Sequence, residues 1–187
     1  MSGPLRLGGI GRLAGGQRVV WSVAEGARGR RWRATVDAPD GGLSISVLYE
    51  LDLEGRPAKL EVASRAGLLS VHPEPDNRLH GNVVSDAGVR AVQLRWSDEH
   101  GALVLGQPIT TAALCHRLAS SVQPGETSEP RIAEIDEELR VTARVATVER
   151  LTATRWLVDG PEIELDERGV PILLEAAEWA LEDDAEH

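Results

Sequence analysis

The sequence predicts an all-β protein: a single large antiparallel sheet curled into a half-barrel or barrel, with a short arm or helix at about 108–122. Three observations predict it. Residues 43–53 read L-S-I-S-V-L-Y-E-L-D-L, with an apolar residue at every odd position and Leu48 as the one apolar exception among the even ones. Side chains alternate faces along a strand, so this stretch has one apolar face and one wet face. Comparable short runs recur along the chain, separated by turn residues. They do not alternate with helical patterns, which argues for antiparallel pairing rather than βαβ units. A sheet that large must curl to hide its apolar face.

The elements follow in order. Residues 1–16 are Gly-rich and read as a flexible lead; Gly9-x-Gly11-x-x-Ala14 follows no strand, so it carries no dinucleotide signal. Residues 18–24 set Val19, Trp21 and Val23 on one side, and residues 31–36 set Trp32, Ala34 and Val36 on one side. Asp40-Gly41-Gly42 turns the chain into the long strand, and Glu54-Gly55-Arg56 turns it out. Residues 59–64 and 68–72 are short strands before a Pro-rich loop at 73–77. Residues 79–85 and 88–97 form a hairpin, with Val92, Leu94 and Trp96 on one face. Residues 102–105 precede the arm, in which Leu114, Leu118 and Val122 recur at helical spacing. Strands then resume at 132–135, 139–148, 152–158, 162–165 and 170–174. Residues 175–181 contain good helix formers and Trp179, which predicts a short C-terminal helix before an acidic tail at 182–187. Residues 17–181 read as one β domain.

Composition bounds the function. The chain has 187 residues and a net charge of -10, which argues against a nucleic-acid binder. Residues 1–35 carry seven arginines against Glu25 alone, a basic lead suited to complementary faces or to anionic lipid. Cys115 is the single cysteine, so no intrachain disulfide forms. No apolar run reaches the length of a membrane span, and no signal peptide is read, so a cytoplasmic location is expected. No metal or cofactor motif occurs. Glu50, Asp52 and His80 are the residues a β-barrel enzyme would use for acid–base work on a small apolar substrate. In a chain without Phe, the five tryptophans are core residues able to line a cavity and offer an N–H to a sugar or head-group oxygen.

At 108–118 the sequence PITTAALCHRL resembles the arm motif of a glycolipid-binding family, through Pro108, Thr110, His116, Arg117 and Leu118. The VQPGE that follows is similar to that family's Val-Gly-Glu turn, and Tyr49, the turn at 166–169 and Trp179 also match. Thr111, Leu114 and His116 stand where the family has Asn, Pro and Arg. The resemblance implies a distant member covering about residues 18–181, with a curved sheet similar to lipoprotein carriers and no established catalytic residue. The expectation is a non-enzymatic binder of an amphiphilic lipid or glycolipid. Leu43, Ile45, Val47, Tyr49 and Leu51 would line its chamber with Trp32, Trp96 and Trp156, and His116 and Arg117 would meet the head group. The rival reading is a structural or interaction domain whose core is filled.

Overall fold

The computed structural model describes residues 5–13, 15–38, 40–174 and 177–178. The first half is a meander of eight antiparallel strands in sequence order: β1 (Arg6–Arg12), β2 (Arg18–Gly26), β3 (Gly29–Asp37), β4 (Leu43–Leu51), β5 (Pro57–Ser64), β6 (Gly67–Glu74), β7 (Arg78–Ser85) and β8 (Gly88–Arg95). Each strand sends alternate residues inward, as the period of two requires. Val19, Trp21, Val23, Trp32, Ala34, Val36, Val47, Tyr49 and Leu51 all lie on the inner face and are buried. β1 and β8 do not pair with each other, so the sheet stays open rather than closing into a barrel.

The second half supplies the cover. β9 (Gly101–Val104), α1 (Pro108–Leu118), β10 (Thr127–Ser128), β11 (Arg131–Ile135) and β12 (Val141–Val145) follow, and then β13 (Val148–Arg150), β14 (Arg155–Val158), β15 (Glu162–Leu165), β16 (Pro171–Leu174) and β17 (Ala177–Glu178). β9 pairs parallel to β11, which in turn pairs with β12. A parallel pair needs a long crossover, and the segment carrying α1 and β10 provides it. β10 and β13 through β17 form a six-stranded sheet.

α1 joins the two halves. Ile109 and Ala113 pack into the core of the first sheet with Ala133, Ile135 and Leu139. Ala112, Leu114, Cys115 and Leu118 pack into a second core with Val148, Trp156 and Ile163. A helix that is apolar on both sides is stable only when buried on both sides. The expected helix is present, though it ends at Leu118 rather than near Val122.

Four expectations are corrected. The lead is not a loose arm: β1 pairs with β2 from Arg6↔Ala24 to Arg12↔Arg18. Gly9 is a packing device, since a Cβ there would sit 3.0 Å from the Trp21 ring. The long strand stops at Leu51, because the Asp52 Oδ1 accepts the N–H groups of Glu54 and Arg56 and turns the chain. Leu53 is therefore exposed in the turn. The stretch 139–148 is split between β12 and β13, in different sheets, and the Asp159 carboxylate accepts the Thr147 N–H at the break. Finally, Ala177–Glu178 pairs as β17 with β16 where a C-terminal helix was expected. There, sheet pairing overrides helix propensity. Trp179 and the tail at 182–187 lie outside the described residues.

Two predictions follow from this packing. Val47 is fully buried at the centre of the inner face, so Val47→Arg places an unpaired charge in a filled core. A loss of roughly 3 kcal/mol or more is expected, read as a collapse of the urea midpoint; an unchanged midpoint would mean the face is hollow. Cys115 is also fully buried, and burial pushes its thiol pKa up. Native thiol labelling should therefore be slow and denatured labelling fast.

Candidate functional site

The site is built by the last turn of α1 and what lies beneath it. Pro108 starts the helix, where its missing N–H costs nothing. Thr110, fully buried, donates its hydroxyl to the Gln107 carbonyl at 2.9 Å and accepts the Val104 N–H at 3.0 Å. That pair of bonds ties α1 to β9 and fixes the direction of the helix. At the other end stand His116 and Arg117, cations or donors where the helix dipole is negative.

Trp32 and Tyr49 face each other across β3 and β4, and Arg30 lies one step along the same face opposite Leu51. The Arg30 guanidinium sits 4.9 Å over the Trp32 ring. Its Nη1 donates to Glu25 Oε2 at 3.4 Å and to His116 Nε2 at 3.3 Å. Guanidinium has no acceptor, so His116 accepts through Nε2 and keeps its proton on Nδ1. The imidazole ring lies 5.4 Å from Trp32. Burial, and secondarily the charge of Arg30, hold its pKa at about 4. Gly169, at φ +73°, makes room for this ring: a Cβ there would lie 2.8 Å from Nδ1.

Arg117 donates through Nη2 to the Asp98 carbonyl at 3.2 Å. Burial lowers its pKa, and the Tyr49 phenol and nearby acids oppose that shift. Burial likewise pushes the Tyr49 phenol up. Among the described residues, Trp32 Nε1, Trp96 Nε1, Arg30 Nε and Nη2, and Arg117 Nη1 are buried without a hydrogen-bond partner. All five are donors, and the Tyr49 hydroxyl, buried there without a partner as well, can donate or accept, so the seam under α1 is rich in N–H groups.

Trp96 links this seam to the surface. It borders a cavity of about 10 Å³ that also touches Tyr49, room for a single water. On its other side an open cleft of about 530 Å³ lies between the β6–β7 turn, the segment after β8 and the start of β11. The Trp96 backbone N–H donates to the Asn77 carbonyl at 2.8 Å, which holds the two loops together. His100 stacks on the indole, with centroids 5.1 Å apart and planes at 28°. Its Nδ1 accepts the Ser97 N–H at 2.9 Å, which leaves the proton on Nε2. Burial lowers the His100 pKa, and the charges of Arg131 and Arg117 add to that effect. Arg78, Arg95 and Arg131 complete the walls.

The residues expected from sequence divide into groups. Trp32, Tyr49, Leu51, Trp96, His116 and Arg117 gather at this end of the inner face. Val47 is core, Ile45 is half-buried, and Leu43 is 44% exposed at the far end of β4. Trp156 belongs to the second core, its ring covered by the Arg150 guanidinium at 4.9 Å. Glu50, Asp52 and His80 are not brought together. Glu50 pairs with Arg31 on the outer face, Asp52 is bound by Arg56 in a turn, and His80 stands opposite His72. Three strand spacings, about 14 Å, separate Glu50 from His80. Arg30 was missed, although strand parity with Trp32 and Ala34 places it inward. Arg78, Arg95, His100 and Arg131 carried no local signal.

The neutral His116 gives a pH test. Its folded pKa of about 4 lies below the ordinary 6.5, so the unfolded chain binds the extra proton first. Stability from this group is full above about pH 6.5 and falls as pH drops toward 4. Urea midpoints across that window should fall for wild type and fall less steeply for His116→Gln. Parallel curves would mean the imidazole is not buried as described.

No family model matches the chain, and no relative is found among curated proteins. A crystal structure of a DUF1089 family protein from Pseudomonas aeruginosa is similar in fold, with a TM-score of 0.54 at 16% identity, over 93% of this chain and 90% of that one. At that identity the likeness shows the fold alone.

Proposed function

We propose that the protein is a non-enzymatic binder of an amphiphile, a lipid or glycolipid, which it holds by an oxygen-rich head group in the cleft beside Trp96. The cleft carries the reading. Its volume of about 530 Å³ is in the range of small-molecule sites. At its base His100 is stacked on the buried indole of Trp96, and its walls offer N–H donors. The inner face beside Tyr49 leaves only about 10 Å³, so recognition is assigned to the head group and not to a chamber around Val47. The separation of Glu50, Asp52 and His80 supports binding over acid–base catalysis.

A second reading, an interaction domain, is favoured by the outer face. Val20, Thr35, Ser46, Ala63, Leu68, Val84 and Val89 pair in one uncharged row across β2 to β8. Leu68, Val84 and Val89 in that row are 46%, 48% and 70% exposed.

Calorimetric titration with octyl glucoside, below its micelle concentration, separates the two. Saturable binding is expected, and Trp96→Leu, checked for folding by circular dichroism, should weaken it about tenfold, a loss of ~1.4 kcal/mol. No saturable heat, or equal affinity in the variant, would remove the cleft as the head-group site. Concentration-dependent sedimentation with no such binding would favour the interaction reading.

A further inference from the structure

The outer face at the mouth of the cleft contains an arrangement that folding alone does not favour. Arg78 on β7 and Arg95 on β8 stand directly opposite one another. Side chains so placed start ~5 Å apart, and like charges there oppose the pairing. Arg78 is answered by Asp76 at 3.0 Å. Arg95 has no ion-pair partner among the described residues, and neither has Arg131 on the facing wall. The lining therefore holds three guanidinium groups against one carboxylate, and that carboxylate is already engaged. This local excess of positive charge sits in a chain whose net charge is -10. A basic pocket on an acidic protein focuses anions rather than binding them diffusely.

The donors are also of the right kind. Guanidinium presents parallel N–H groups that match two oxygens of a phosphate, and it stays charged at any ordinary pH. His100 adds its Nε2 proton, because Ser97 occupies Nδ1. Trp96, 5% exposed, lies buried beneath them.

We propose that the cleft is an oxyanion site for a phosphate-type group, gripped by Arg95 and Arg131 with His100 as a neutral donor. This rests on the binding reading above and specifies the head group as anionic. The group relieves the Arg78–Arg95 repulsion, so binding it also tightens the end of the β7–β8 hairpin.

The test compares the full chain with an Arg95→Gln/Arg131→Gln double variant and with Arg95→Gln alone. Thermal melting is run in sodium phosphate and in sodium chloride of matched ionic strength. Vesicle flotation is run with phosphatidylglycerol and with phosphatidylcholine. Wild type is expected to gain about 3 °C or more in phosphate over chloride, and the double variant to gain nothing. Arg95→Gln should melt higher than wild type in chloride, where no oxyanion offsets the paired arginines. A phosphate shift without flotation identifies a soluble phosphate compound; a shift together with selective flotation on phosphatidylglycerol identifies a lipid head group. Identical melting of wild type in phosphate and chloride overturns the proposal, as does a double variant that responds like wild type. Binding of octyl glucoside without any phosphate response removes this inference and leaves the amphiphile reading intact. A phosphate response without octyl glucoside binding or flotation does the reverse.

Discussion

The burial of α1 on both of its sides is the constraint on which the rest of the structure depends. The helix has no charged residue before its last turn, and the side chains it sends in opposite directions are all small or apolar. Each fully buried Leu contributes roughly 1.5–3 kcal/mol, so Leu114 and Leu118 alone make an exposed face untenable. Two sheets are needed to cover it. The eight-stranded sheet takes Ile109 and Ala113, and the six-stranded sheet takes Leu114, Cys115 and Leu118. The β9–β11 parallel pair exists because the chain must cross over to place the helix there.

This arrangement also decides where polarity can go. α1 packs Ile109 and Ala113 onto the inner face, and a cavity of about 10 Å³ lies beside Tyr49. The two basic residues of its last turn are carried into the seam against Arg30, Trp32 and Tyr49. One consequence is a histidine held neutral beside an arginine, which is compatible only because the imidazole accepts rather than donates. The other is a set of buried N–H donors that leads, through Trp96, to an open cleft lined by further arginines. Interior packing and the open cleft thus meet at one tryptophan.

Much of the sheet was legible in advance because alternation is a local property. Trp32, Val47, Tyr49 and Trp96 were placed inward by parity with their neighbours, and the structure buries each of them. Errors arose where one residue type has two physical uses. Glycines at 8, 9 and 11 read as looseness, yet Gly9 lets an edge strand lie against Trp21. Asp52 read as a candidate acid, yet its carboxylate is consumed by the turn it forms with Arg56.

By itself the sequence determined the fold class, the faces of the strands and the position of the helix, since periods of 2 and 3.6 are written in neighbouring residues. Only the tertiary structure decided that the inner face is packed, that Glu50 and His80 lie strands apart, and that Arg95 and Arg131 share a cleft with Trp96 and His100. Those outcomes depend on the register between strands and on where a helix docks. Both are set by pairings between residues far apart in the chain, for which no local pattern carries a record.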